Sequence, residues 1–288
     1  MARAVIFDWY GTLAEWEHAS ASSDAAVLAA LGYEARGQVL DEYQTRWDGV
    51  DHRAHSTSRE AYVLWSRSRL RDLVGDCGVA SSEADHAVDL LLESDSTSPM
   101  VPYPEAIPTL GALRASGLII CVCSNWGWDL ESFLEATGVA PFVDVAVTSA
   151  RAGYRKPHPG IYEATLGPVG LDPVDAVFVG DTWGPDVVGP TAVGMAAVHV
   201  WRDQSRPAPE LMPGAHRVTA LDQLLSLPPF ACAQYRVPGS ELRSPKRSAR
   251  SFAPASPSNP VLVLPRPEGP RFSDVQHGAL PKGDRLLP

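Results

Sequence analysis

The sequence predicts an α/β protein with a doubly wound parallel sheet, and three observations carry that expectation. Short apolar runs rich in Val and Ile recur at residues 4–7, 118–123, 143–147, 176–179 and 196–200. Stretches with helical periodicity separate the later runs, over 105–116, 129–137, 158–166 and 185–194. The runs lack the polar alternation of a half-exposed strand, so each is expected to be covered on both faces by helices.

The elements follow in order. The first run, Ala4-Val5-Ile6-Phe7, opens the sheet. It is far too short for a signal peptide or a membrane span, and no stretch of about 18 apolar residues occurs elsewhere. A cytoplasmic protein that does not enter a membrane is expected. Between the first and second runs lie about a hundred residues with no good strand candidate. Helices are expected there over 24–31, 36–48, 58–74 and 82–94. Ser22 or Ser23 is placed to cap the first of these. Ser58, with Glu60 nearby, starts the third, and Ser81 or Ser82, with Asp85, starts the fourth. The expected division is a core of 1–14 and 101–227, interrupted by a helical insert over 15–100.

From residue 228 the composition changes. The last 61 residues hold 12 of the 26 prolines, and nine Lys/Arg against four Asp/Glu. Proline at that density removes backbone donors and opposes helix and central strand, so 228–288 is expected to be a disordered tail. The whole chain of 288 residues is 45% apolar and carries a net charge of -10. That balance excludes a nucleic-acid binder, which needs clustered Lys and Arg for phosphate backbone. Cys77, Cys121, Cys123 and Cys232 show no metal-type spacing. Cys121 and Cys123 alternate in one apolar run and are expected to be core thiols on one strand face.

Four segments carry chemistry. Asp8-Trp9-Tyr10-Gly11-Thr12-Leu13 follows the first strand directly. A carboxylate at a strand's C-terminal end lies where open α/β sheets hold ligands. Gly11 lets the chain turn away, and Thr12 offers a hydroxyl and an N–H. Ser124-Asn125 follows the second core strand and places a hydroxyl beside a helix start. Lys156, in Arg155-Lys-Pro-His-Pro159, is the one lysine before residue 246 in a chain that otherwise uses Arg. That choice points to a compact charge. Gly180-Asp181-Thr-Trp-Gly-Pro-Asp186 puts two carboxylates at a strand end and in the following turn, in reach of one hard cation.

In their order and context, these four segments over residues 4–200 resemble the motifs of the haloacid dehalogenase-like superfamily, with its Rossmann-like core. The insert resembles its C1-type helical cap. The resemblance implies a hydrolase with Asp8 as nucleophile, Ser124 and Thr12 holding the transferring group, and Lys156 neutralising charge. It implies Mg²⁺ held by Asp8, Asp181, Asp186 and the backbone carbonyl of Tyr10. Tyr10, Gly11 and Asn125 are expected to meet a small anionic substrate.

One position departs from the family's phosphatases. They carry a second Asp two residues after the nucleophile, where this chain has Tyr10. The change resembles the 2-haloacid dehalogenases, whose leaving halide needs no proton. The Gly-Asp-x-x-x-x-Asp segment points the other way, because those enzymes need no metal and lack it. Three crowded carboxylates favour Mg²⁺ and phosphoryl chemistry. A Mg²⁺-dependent phosphatase is therefore expected. A metal-independent dehalogenase is the alternative, and a non-catalytic binding protein the third reading. A dehalogenase would also need an insert arginine for the substrate carboxylate, and Arg46, Arg53 and Arg59 are the candidates. Trp9, Trp126, Trp128 and Trp183 adjoin the motifs and fit either a pocket wall or the core. His158 is expected at a loop or helix start, and His199 as a core histidine.

Overall fold

The computed structural model describes residues 2–17, 24–231 and 262–263. In chain order the strands and α-helices are β1 (Ala4–Phe7), β2 (Ala14–Trp16), α1 (Asp24–Ala30), α2 (Gly37–Arg46), α3 (Arg59–Asp76), α4 (Ala84–Thr97) and β3 (Met100–Pro102). There follow α5 (Ala106–Ala115), β4 (Ile119–Ser124), α6 (Leu130–Ala136), β5 (Val145–Thr148), α7 (Ser149–Ala152) and α8 (Pro159–Leu166). The rest are β6 (Ala176–Gly180), α9 (Gly189–Ala192), β7 (Ala196–Val200), β8 (Ala215–Val218), α10 (Pro228–Ala231) and β9 (Leu262–Val263).

The sheet order is β8-β7-β6-β1-β4-β5-β9, parallel throughout except for the antiparallel edge strand β9. The chain leaves β1 toward β4 and β5 on one side, then returns to β6, β7 and β8 on the other. The reversal beside β1 opens a crevice at the strands' C-terminal ends. Side chains alternate across β1 as the strand period requires. Val5 and Phe7 join the core under α5 and α6, while Ala4 and Ile6 join Cys121 and Cys123 in the core under α8. Each large apolar side chain so buried contributes about 1.5–3 kcal/mol.

The helices α1–α4 share a separate apolar cluster that includes Leu28, Tyr43, Leu70, Leu73, Val88 and Leu91. Ser58 caps α3, its side chain accepting from the Ala61 N–H at 3.1 Å. No side chain caps α4, so Ser81 and Ser82 do not take that role. Ser22 and Ser23 lie outside the described residues. A strap from this insert lies along the core. His52 N–H donates to the Gly153 carbonyl at 2.7 Å, Arg155 N–H to Val50 at 3.0 Å, and Gly49 N–H to Lys156 at 3.4 Å. Asp51 and Tyr154 form an antiparallel bridge between them.

The structure corrects four expectations. The insert is not free of strands: β2 and β3 pair antiparallel at its two ends, with Glu15 opposite Val101. The strand β8 extends the sheet where no apolar run exists, because Ala215-His-Arg-Val is only partly buried at the sheet's margin. The stretch expected as one helix over 185–194 is a π-helical turn, Trp183–Val188, followed by the short α9. Gly184, Pro185, Gly189 and Pro190 break the regular ladder there. The folded part also runs past 228. Pro228 and Pro229 sit in the first turn of α10, where proline is tolerated, and Phe230 is buried in the core. Residues 232–261 and 264–288 of the expected tail lie outside the described residues, as does Cys232. Among the described residues no helix is long and apolar enough to cross a membrane.

Candidate active site

The four motif segments converge at the C-terminal ends of β1, β4 and β6. Asp8 directly follows β1, fixed by its N–H donating to the Val179 carbonyl of β6 at 2.9 Å. Its carboxylate is nearly buried. The Lys156 ammonium donates to Asp8 Oδ1 at 2.7 Å and to Asp186 Oδ1 at 2.6 Å. Asp186 is fully buried, and its Oδ2 accepts the Thr182 N–H at 2.9 Å. Asp8, Asp181 and Asp186 each present an oxygen, all within 4.8 Å of one another.

These charges perturb one another. Burial pushes Asp181 up, and repulsion from Asp8 and Asp186 adds to it, to about 7. Burial also raises Asp186, to about 6, against the pull of Lys156. Burial disfavours the Lys156 ammonium, but Asp186 and Asp8 outweigh it and hold the lysine above its ordinary value. Lys156 is thus charged at any ordinary pH, yet one cation faces three carboxylates.

Gly11 explains how the chain passes this cluster. Its φ is +80, and a Cβ there would lie 2.4 Å from Asp181 Oδ2. Only glycine fits both the turn and the approach. Thr12 is buried, and its hydroxyl donates to Asp181 Oδ1 at 3.4 Å. Ser124 ends β4, buried and in register with Thr148 of β5. Tyr10 is half-exposed, its ring 6.1 Å from Trp16. Burial, then Asp181 and Glu15, raise its phenol above the ordinary value. Asn125, expected to meet substrate, is placed against the backbone of Lys156. Its Oδ1 accepts the Lys156 N–H at 2.7 Å and its Nδ2 donates to the Lys156 carbonyl at 3.1 Å. Each end of the amide makes one bond to the lysine's backbone.

Two supporting residues escaped sequence reasoning. His199 donates from Nε2 to the Asp181 carbonyl at 3.0 Å, while its Nδ1 accepts from Arg217 at 3.2 Å. It is the core histidine expected, but it also fixes a motif backbone; its register opposite Gly180 is the signal that was there to find. Arg202 donates to the carbonyls of Thr12 at 3.0 Å and Gly11 at 3.3 Å and pairs with Glu105 at 2.6 Å. The tryptophans divide. Trp9 is core, its indole donating to Met100 Sδ at 3.3 Å. Trp126 packs on Trp16 and Phe133, Trp128 lies beside Tyr62, and Trp183 meets His199 edge-on. His158 caps α8 by accepting the Gly160 N–H at 3.0 Å. Arg46, Arg53 and Arg59 each pair with a surface carboxylate, Asp76, Asp51 and Asp129.

Comparison with known proteins agrees with this geometry. The family described as haloacid dehalogenase-like hydrolase matches residues 2–194. The chain is 29% identical over 246 residues to the human haloacid dehalogenase-like hydrolase domain-containing protein 3, covering 82% of this chain and 97% of that protein. It is 25% identical over 239 residues to (S)-2-haloacid dehalogenase 4A of Burkholderia cepacia, covering 78% of this chain and 94% of that one. The crystal structure of a HAD phosphatase from Thermococcus onnurineus superposes with a TM-score of 0.52 at 25% identity, covering 78% of this chain and 97% of that one. Phosphatases and dehalogenases thus both stand among its relatives. With its parallel sheet and its motif aspartates and lysine gathered in one crevice, the chain belongs to the haloacid dehalogenase-like hydrolases.

Proposed function

We propose that the chain is a Mg²⁺-dependent phosphatase of a small phosphorylated metabolite, working through an aspartyl-phosphate at Asp8. The carrying observation is that Asp8, Asp181 and Asp186 bring oxygens within 4.8 Å of one another, while a single ammonium bonds to Asp8 and Asp186. Three carboxylates with a single lysine leave a negative deficit that a hard divalent cation fits. Asp8, Asp181 and the Tyr10 carbonyl would hold it, with Asp186 behind them, since both Asp186 oxygens are already engaged. The cation would supply Lewis-acid stabilisation of phosphoryl oxygens.

The chain's own groups do the remainder. Asp8 attacks phosphorus in line as the P–O bond to the leaving group breaks and its electron pair departs with that oxygen; water then hydrolyses the aspartyl-phosphate, releasing inorganic phosphate and restoring Asp8. The Lys156 bond at 2.7 Å holds the carboxylate in place. Ser124 and Thr12 grip the phosphoryl oxygens, and the helical insert closes over the crevice as a cap. Tyr10 is a poor proton donor, and its raised pKa makes it poorer. Turnover therefore depends steeply on how readily the leaving group departs unprotonated.

The test is hydrolysis of a series of aryl phosphates. Activity should be lost on chelation of divalent cations, restored by Mg²⁺, abolished in Asp8→Asn, and fall sharply as the leaving phenol becomes less acidic. One observation favours a second reading: Tyr10 stands where a phosphatase acid would. Halide release from 2-chloropropionate, indifferent to chelation, would establish a dehalogenase instead.

A further inference from the structure

Five buried side-chain atoms among the described residues lack a hydrogen-bond partner: Trp47 Nε1, His52 Nε2, Arg69 Nε, Thr109 Oγ1 and Arg155 Nε. The four nitrogens belong to a single cluster. The Arg69 guanidinium, from α3, lies 4.8 Å from the Trp47 ring and 4.6 Å from the Trp65 ring. His52 stacks on Trp65 at 4.4 Å. Arg155 reaches the same place from the core loop that carries Lys156, close enough that Arg69 lowers its pKa. Burial, with Arg155 and Arg69 beside it, lowers His52 to about 3 and keeps its ring neutral.

Arg69 and Arg155 are only 7% and 9% exposed as residues, yet among the described residues neither forms an ion pair with a carboxylate. Elsewhere the chain pairs its arginines freely, as with Arg46, Arg59, Arg67, Arg71 and Arg202. Like charges buried together and left unpaired are unfavourable. Aromatic faces offset part of that. Asp48 acts on Arg155 through space but forms no ion pair with it, so what the cluster lacks is a negatively charged acceptor in direct contact, the partner that arginine's forked donors match.

We propose that Arg69 and Arg155, with the Trp47 indole N–H, form an oxyanion-binding site between the helical insert and the core, taking a carboxylate or a phosphate group. Arg155 adjoins Lys156, so the oxyanion has two possible sources: a second acidic group on the substrate, or a free inorganic anion. The first source rests on the phosphatase reading; the site itself does not.

The test is thermal unfolding of the protein freed of divalent cations on a chelating resin, with inorganic phosphate or malonate as probe. Without a cation, Asp8, Asp181 and Asp186 outnumber Lys156 and repel anions, so the catalytic crevice stays silent. Tm should rise with either probe and saturate. In Arg155→Gln and Arg69→Gln the rise should vanish, while the anion-free Tm stays at or above that of the unsubstituted protein, because a buried unpaired charge is gone. No rise in the unsubstituted protein, or an equal rise in both variants, overturns the site. If Arg69→Gln does not fold, Arg155→Gln alone decides. A kinetic arm separates the sources. If the substrate supplies the oxyanion, Arg155→Gln raises KM for para-carboxyphenyl phosphate, relative to phenyl phosphate, about ten- to a hundredfold. An unchanged ratio, with the Tm response lost, assigns the site to a free anion. Failure to hydrolyse either ester would sink the phosphatase reading and leave the unfolding result standing.

Discussion

At the scale of single residues, Gly11 offers a controlled comparison with Gly117. Both have φ +80, but nothing lies within 4 Å of a Cβ at Gly117, whereas at Gly11 it would meet Asp181. Gly117→Ala should cost about 1–2 kcal/mol of stability from backbone strain alone and leave kcat untouched. Gly11→Ala should cost more and remove activity, as chemical denaturation and aryl phosphate kinetics would show. The raised carboxyls give a pH prediction. Asp181 titrates near 7 and Asp186 near 6 in the folded protein, against about 3.9 unfolded. The folded state therefore holds extra protons between those values. Their contribution to stability is complete below the unfolded pKa and is lost as pH rises through 6 and 7. Cation-free protein should have a lower Tm at pH 8 than at pH 5. Mg²⁺ should raise Tm more at pH 8 than at pH 5, and an equal Mg²⁺ effect at both would contradict the shared site. Asp8, Lys156, Asp181 and Asp186 were legible in the sequence because their types and positions stand out: a lone lysine among arginines, carboxylates at strand ends. The positioning roles of Asn125, His199 and Arg202 were not, because these side chains act on backbone carbonyls and N–H groups, and a backbone partner leaves no mark on the sequence.

At the scale of elements, α3 shows what local rules specify well. Ser58 at its N-cap was visible from position alone, and Ser58→Ala should lower stability by about 1 kcal/mol, measured by denaturant titration. The buried strands β1, β4, β6 and β7 were equally visible, since continuous apolar runs can lie only between covering helices. The short pairs were not. The strands β2 and β3 gain their order from each other across the whole insert, and β8 from β7, so no local period announces them. The π-helical turn Trp183–Val188 follows the same logic: its shape brings Asp186 back onto the Thr182 N–H and Lys156, a tertiary demand that helical periodicity does not encode.

At the scale of the whole molecule, the sheet's margin and its insert matter most. The edge of β5 is paired by β9, Val145 opposite Val263. Removing residues 232–288 should leave the unfolding temperature nearly unchanged but expose that edge and promote association between copies. Light scattering across a concentration series would show it, and a truncated protein that stays monomeric throughout would deny β9 that role. The strap over 49–52 has a different consequence. Its bonds reach the very peptide groups that carry Arg155 and Lys156, which Asn125 grips from the opposite side. The lysine bonded to Asp8 is therefore anchored to the insert and to the core at once. On the proposed reading, a swing of the helices away from the sheet would pull on the backbone of Lys156 or break the strap, so admitting a ligand and holding the ammonium on Asp8 would be mechanically linked.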